Sequence, residues 1–538
     1  MHVTRTALSS GKRRDARCGI RFFKYHTDGC RSTGASQNSK LDEIQELTKP
    51  PDTCIRHNSE STGKSCDRNY TTSASTAASA NEFHEIPTPR GLPILGTTLS
   101  LLGSGGPIKL HEYIDKRHKE LGPVFKDGIG PVKAIFVNSP HEYRRIFRLE
   151  GPMPQHFLPE PWLLYNKIRK CRRGLLFMDG EEWLHFRRIL NKIMLVPDPT
   201  ILMSNACQEA AEDLVKRWES QIERDCLIHD LQVQLYQWSI EAVLATLMGS
   251  SWHARKQQFS KDSAKLARMI HKIFEYSVQM SVISGKWAMK LGLPVWSKFV
   301  DCFDTAMEIV RTIVPEMTRI GGDGLLQKMI DEGIRDEDAV KIVGDFILAA
   351  GDTTASSIQW TLLLLSRQPH CQDKLFDAVK DLSVKEIMRD PLVKGTVKEA
   401  LRLHPIAPFI TRYLPEDSLI GGYIVPKGQL LLLSMYSSSR DSANFPQPNE
   451  FIPERWTRTE EGCYRGVLQP HGSLPFALGA RSCIGRKLAE TQISLVLAEI
   501  VKAFKMDCSN KDRIKMILHL TSVPSESIEL RLTRRRTK

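Results

Sequence analysis

The chain has 538 residues, with 75 Lys and Arg against 62 Asp and Glu, a formal net charge of +13. With 41% hydrophobic and 25% charged residues it is neither fibrous nor wholly disordered, and it is long enough for one large catalytic domain or several small ones. The basic excess suits an acidic protein partner or an anionic membrane, whereas no zinc-finger spacing or RNA-recognition signature points to nucleic acid.

The first 30 residues carry Arg5, Lys12, Arg13, Arg14, Arg17, Arg21 and Lys24 against only Asp15 and Asp28, with Ser and Thr between them. Basic, hydroxyl-rich and poor in acid, this stretch reads as a mitochondrial presequence, the alternative being a basic tail with no targeting role. "SESTGKSCDRNYTTSASTAASA" is too poor in large apolar residues to order itself, so residues 1–85 read as presequence and disordered linker. No apolar run approaches the ~18 residues of a membrane-spanning helix, so no N-terminal signal anchor is expected. Twelve cysteines without a CxxC predict no disulfide framework and a reducing compartment.

"IPTPRGLPILG" (86–96), broken by Pro87, Pro89, Gly91, Pro93 and Gly96, predicts a stiff entry segment. From about 97 to 380 apolar residues recur at three- and four-residue steps, which predicts helices, and the strand-like runs cluster later, as in "GGYIVPKGQLLLLSMY" and "SIELRLT". The expected fold class is mainly α with small β-sheets, a single domain over 86–535.

Within this frame Trp183 and Arg187 stand one helical turn apart, a spacing that simple packing also produces. A helix of about 30 residues is expected around "ILAAGDTTAS" (347–356), which is expected to interrupt it, with Asp352, Thr353 and Thr354 inside an otherwise apolar surface; a hydroxyl-distorted helix without chemistry is the alternative. Glu399 and Arg402 share one helix face, as a surface ion pair also would. In "LPFALGARSCIGRKLAE", Cys483 lies between glycines and arginines just before a helix carrying Ala489, Ile493, Val496, Leu497 and Ile500 on one face. The helix N-terminus and Arg481 are expected to favour a thiolate there; a buried structural cysteine is the plain alternative.

The spacing F-x-x-G-x-R-x-C-x-G over Phe476, Gly479, Arg481, Cys483 and Gly485 resembles the haem-binding signature of the cytochrome P-450 family. "KEALRLHP", "FIPERW", "AAGDTTAS" and W-x-x-x-R follow in that family's order. The resemblance implies the P-450 fold with haem b between the central long helix and the cysteine loop, and Cys483 as thiolate ligand to iron. It implies a haem contact for Phe476 and contacts of Trp183, Arg187, Arg412 and Arg481 on the propionate side. Glu399, Arg402 and Arg455 become a structural network, and Asp352 and Thr353 a proton-delivering acid–alcohol pair. One departure is Ala350, where the family usually has Gly.

The basic leader places the chain with the mitochondrial type, fed by an adrenodoxin-type ferredoxin, with Lys394, Lys398, Arg486 and Lys487 as candidate docking residues, although a solvated basic face would look the same. The implied location is the matrix side of the inner mitochondrial membrane, held peripherally. Segments 151–167, 266–280, 404–414 and 520–527 fall where the family lines its substrate pocket and are mostly apolar. A closer likeness, through "PQHFLPEPWLLYN", "RGLLFMDGEEWLHFRRILN" and "HGSLPFALGARSCIGRK", is to the shadow-type arthropod group. It implies O2-dependent hydroxylation of carbon 2 of 2-deoxyecdysone, an ecdysteroid, to give ecdysone. Another mitochondrial P-450 hydroxylase, a haem-thiolate isomerase or dehydratase, and a non-enzymatic haem protein are the competing readings.

Overall fold

The computed structural model describes residues 80–535, apart from 94, 172, 196–198 and 282–283. Of the expected presequence and linker over 1–85, residues 1–79 lie outside the described residues, while Phe83–Glu85 form a short 3-10 turn. Domain contacts begin at Asn81, which pairs with Gly422 and Ile424 through the backbone.

The helices run α1 (Thr98–Gly103), α2 (Leu110–Leu121), α3 (Pro140–Leu149), α4 (Glu160–Arg169), α5 (Gly180–Met194), α6 (Pro199–Ile222), α7 (Leu231–Met248), α8 (Trp252–Gln279) and α9 (Gly285–Lys290). They continue as α10 (Pro294–Ile320), α11 (Leu325–Asp331), α12 (Asp336–Arg367), α13 (Pro369–Val379), α14 (Val384–Ile387), α15 (Pro391–Leu403), α16 (Met435–Ser438) and α17 (Arg486–Ala503). The described chain is thus mainly helical with small sheets.

The principal sheet has the order β1 (Val124–Ile129), β2 (Val132–Val137), β6 (Leu430–Ser434), β3 (Phe409–Tyr413). β2 and β6 run parallel, with Val137 opposite Leu433, and the other pairs are antiparallel. The β1–β2 hairpin lies inside the region expected to be helical. Its Val, Ile and Phe residues gain a buried face only by joining β6, a partnership absent from the local sequence. Three two-stranded ribbons complete the β structure: β4 (Ser418–Ile420) with β5 (Tyr423–Val425), β7 (Phe504–Cys508) with β10 (Leu530–Arg534), and β8 (Met516–His519) with β9 (Thr521–Pro524).

α12 spans 32 residues, about 48 Å at 1.5 Å per residue, and is unbroken where an interruption was expected. Its hydroxyls bond inward instead: Thr353, Ser357 and Thr361 each donate to the carbonyl four residues back at 2.7 Å. α7 packs along it, close enough that a Cβ on Gly351 would meet Ile240 Cγ1 at 3.2 Å. α17 is buried on more faces than the one expected, with Thr491, Gln492, Ser494 and Leu495 enclosed as well.

Behind the cysteine loop the Glu399 carboxylate receives Arg402 Nε and Nη2 at 2.9 and 2.8 Å, Arg455 Nε at 2.8 Å, Trp456 Nε1 at 2.9 Å and the Ile452 amide at 3.0 Å. Glu399 and Arg402 are 0% exposed, so this is no surface pair. Arg402 and Arg455 spend their remaining donors on the carbonyls of Ser439, Pro448, Glu450, Pro446, Gly466 and Gln447. One carboxylate thereby holds the 439–466 segment to α15, and removing it would cost about 3–5 kcal/mol because two buried cations lose their partner.

Candidate functional site

The cysteine loop is shaped from both sides. Inside it the Cys483 amide donates to the Phe476 carbonyl at 2.9 Å. Gly479 has φ +78, and a Cβ there would lie 1.9 Å from Glu150 Oε1, so glycine is required on both counts. Glu150, at the end of α3, accepts from the Ala480 amide at 2.7 Å and pairs with Arg412 of β3. Sequence reasoning missed this carboxylate, whose only local trace is an acid at a helix end.

The Cys483 sulfur is pulled in two directions. Burial pushes its thiol up, and the Gly485 amide, Arg187 and Arg486 only partly offset this. Sulfur in this setting is anionic when a bound cation takes the place of the proton. Cys483 is nonetheless an exposed residue, unlike the buried Cys207 or Cys508.

Three arginines converge on the loop from separate elements. Arg187, buried on α5, reaches Ser482 Oγ at 3.4 Å and leaves its Nε without a partner. Burial lowers it to about 10. Arg481 lies over the Trp183 ring at 4.5 Å, donates to the Met178 carbonyl at 2.7 Å and pairs with Asp179; burial lowers it, too, to about 10. Arg412 is committed to Glu150, the Thr411 carbonyl and the Leu478 carbonyl. Beside Arg481 and Arg412 stands His156, missed in the sequence, with both ring nitrogens buried and unpartnered. Burial and these two guanidiniums hold it at about 3, neutral at physiological pH. Phe476 packs under Arg486, 6.0 Å from ring centre to guanidinium.

Along α12 the residues Phe346, Ala349, Ala350 and Thr353 are exposed or half-buried, while their neighbours around the helix are buried. Their three- and four-residue spacing makes an open stripe halfway along the helix, followed by an enclosed run over 354–366. Small alanines at its centre admit a flat group close to the backbone. An exposed sulfur at a helix start, an orphaned Arg187 Nε and His156 ring, and this stripe fit a planar iron porphyrin carrying two carboxylates.

Asp352 and Thr353 are neighbours that point apart. Thr353 Oγ1 donates to the Ala349 carbonyl on the open stripe, whereas Asp352 is 0% exposed and faces α7 and β9. Burial lifts the Asp352 carboxyl to about 6, although hydroxyls of Thr521 and Tyr236 donate to it. The Ala350 carbonyl accepts from Ser239 Oγ at 2.7 Å.

The four apolar segments expected at the pocket are brought together. The Phe157 amide donates to Thr411 Oγ1 at 3.1 Å, Trp162 Nε1 to Ser277 Oγ at 2.7 Å, and the Ser522 amide to the Ile406 carbonyl at 2.9 Å.

On the opposite side of the loop a cavity of about 600 Å³ is lined by Lys394, Lys398, Arg486 and Lys487 together with Phe476 and Trp456. The four basic residues therefore share one face, but they are not equivalent. Lys394 is exposed, and Arg486 is exposed with its Nε 3.1 Å from Glu490. Lys398 is half-buried, 3.2 Å from the Tyr464 hydroxyl and within 5.5 Å of the Trp456 ring centre.

The sequence model of the family described as Cytochrome P450 matches residues 86–532. Among curated proteins the chain is 36% identical over 479 residues to "Cytochrome P450 315a1, mitochondrial" of Drosophila melanogaster, covering 85% of this chain and 89% of that protein. It is 27% identical to the rat "1,25-dihydroxyvitamin D(3) 24-hydroxylase, mitochondrial", over 83% of this chain and 88% of the relative. It is also 27% identical to the mouse "Sterol 26-hydroxylase, mitochondrial", over 84% and 90%. The chain belongs to the cytochrome P450 family, whose members carry haem on a cysteine thiolate and act as monooxygenases.

Proposed function

We propose that this chain is a mitochondrial steroid hydroxylase whose substrate is 2-deoxyecdysone, hydroxylated at carbon 2 to give ecdysone. The observation that carries this reading is the span of its similarity: nearly the whole domain aligns with mitochondrial relatives, two of them named for sterol or vitamin D hydroxylation. The motif-level likeness to the shadow-type group narrows the class to ecdysteroids.

Cys483 is the residue that would hold iron, Arg187, Arg481 and Arg412 would meet the propionates with Trp183 bracing Arg481, and Phe476 would lie against the loop. Haem bound in this way supplies the oxygen activation, as is general for thiolate-ligated haem. The protein contributes the rest. The apolar segments position the steroid and exclude water. Asp352 supplies protons, for which a carboxyl near 6 is well matched to neutral pH. Thr353 carries a hydroxyl on the open stripe, where it passes the proton on.

The electron donor is an acidic, adrenodoxin-type ferredoxin docking over Lys394, Arg486 and Lys487, with Lys398 contributing charge from within its aromatic surround. The enzyme works on the matrix side of the inner membrane. Among the described residues no helix is long and apolar enough to cross a membrane. Exposed Leu95, Leu99 and Leu102, with Trp287 and Met289 between Lys286 and Lys290 and Leu291 just beyond, suit peripheral contact with an anionic bilayer.

The test is incubation of the haem-loaded enzyme with 2-deoxyecdysone, O2, a mitochondrial ferredoxin and its reductase. The expected product is ecdysone, identified by mass and NMR. Hydroxylation at another carbon, or of other sterols only, would replace this substrate with that of another mitochondrial hydroxylase.

A further inference from the structure

Asp352 is gripped from two directions. The Tyr236 hydroxyl of α7 donates to Oδ1, and the Thr521 hydroxyl at the start of β9 donates to Oδ2. Tyr236 and Asp352 are 1% and 0% exposed, so neither is held by solvent. Burial and the nearby carboxylate push the Tyr236 phenol well up, so it remains a donor across the physiological range. Among the described residues no cation is set against the acid. From α7 come Tyr236 and Gln232, from α12 Ser356, from α8 His271 and from β8 His519. Burial lowers both histidines below their ordinary range, which keeps them neutral. The charged side chains near His271 are Glu275 and Lys272 of α8, one step further out.

The chemistry of the two partners matters. A guanidinium or ammonium against a buried carboxylate would hold it ionised and take it out of proton transfer. A hydroxyl can donate to the carboxylate and turn to accept from the acid, so the same two groups satisfy both protonation states without backbone movement. The two clamps also differ in mobility of attachment. Tyr236 sits in the middle of an 18-residue buried helix, whereas Thr521 follows Leu520, an exposed hairpin tip at φ +66.

We propose that Tyr236 and Thr521 are positioning residues for the hydroxylation, their hydroxyls holding the Asp352 carboxyl in place and setting the pH range over which it gives and regains its proton. This rests on the monooxygenase reading above. In the step, the Asp352 carboxyl turns from its clamp toward the open stripe, its O–H bond breaks and the proton passes to Thr353 Oγ1, whose own proton leaves onto the stripe; the carboxylate then turns back. The carboxylate left behind is stabilised by two O–H donors, and solvent restores the proton.

The test uses Y236F and T521V in the haem-loaded protein, with D352N to identify the signal. Infrared difference spectra against pH follow the carbonyl stretch of the protonated Asp352 carboxyl, which D352N abolishes. Loss of either donor hydroxyl should raise the midpoint of this titration by about one pH unit. Product formed per electron consumed should fall several-fold at pH 7.5, with an enlarged solvent isotope effect. The reduced carbon monoxide spectrum should stay that of a thiolate-bound haem in both variants. If Y236F does not fold, T521V alone decides. An unchanged midpoint with an intact thiolate spectrum overturns the proposal and leaves the monooxygenase reading standing. A wild-type protein lacking that spectrum overturns both.

Discussion

Glu150 and Arg412, far apart in sequence, form a buried ion pair that bears directly on the cysteine loop, because the second Glu150 oxygen accepts from the Ala480 amide. Burial alone would push the Glu150 carboxyl up, and the Arg412 guanidinium is the chief opposing influence. One carboxylate thus couples the end of α3, the centre of β3 and the loop around Cys483.

Replacing Glu150 by Gln should destabilise the fold by about 3–5 kcal/mol, since Arg412 is left buried without a counter-charge. Haem loss to an acceptor globin should accelerate as well. Adding R412M to E150Q should recover part of the stability, because the stranded charge is then gone. Equal stability of E150Q and wild type in thermal melts would refute the coupling.

Cys483→Ala should abolish the thiolate signature of the reduced carbon monoxide complex. C207A, which changes a buried cysteine away from the loop, should preserve it. A thiolate band surviving in C483A would transfer the ligand role to another residue.

The Asp352 carboxyl sits at about 6 when folded, against about 3.9 for a free carboxylate. A folded value above the unfolded one means that folding takes up a proton between them. Its contribution is therefore complete below about pH 4 and is lost as pH rises through 6, by an amount on the order of 3 kcal/mol. D352N lacks this loss. Its melting temperature relative to wild type should climb from pH 4 to 7 and then level off; a flat difference across that window would contradict the buried titration.

Lys394→Glu should raise the ferredoxin KM about tenfold at low salt, the equivalent of about 1.4 kcal/mol, and the gap should narrow as salt is added. K398E should behave differently. With Lys398 set against Tyr464 and Trp456, its reversal should lower thermal stability as well as docking. Identical salt-dependent effects of the two variants on KM, with no change in stability, would argue against this distinction.

The sequence carried the helical class, the Glu399–Arg402 pair on α15, and the loop before α17, because each shows itself through local spacing. Glu399 and Arg402 are one turn apart, and the cysteine loop is written in consecutive residues. It did not carry Glu150, His156, Tyr236 or Thr521, whose significance comes from partners brought near only by folding. The β1–β2 hairpin escaped for the same reason, since β2 is completed by a strand beyond the long helix. The interruption expected in α12 did not occur, because Thr353 satisfies its hydroxyl on its own helix.

The parallel pairing of β2 with β6 has a consequence for biogenesis. A ribosome exposes the hydrophobic edge of β2 long before its mate has been synthesised, and a chain threaded N-terminus first through a narrow translocation pore would meet the same delay. Through that interval the unmatched edge is a template for intermolecular strand addition. Productive folding therefore requires that this early ribbon stay clear of other chains until β6, about 300 residues later, has been synthesised.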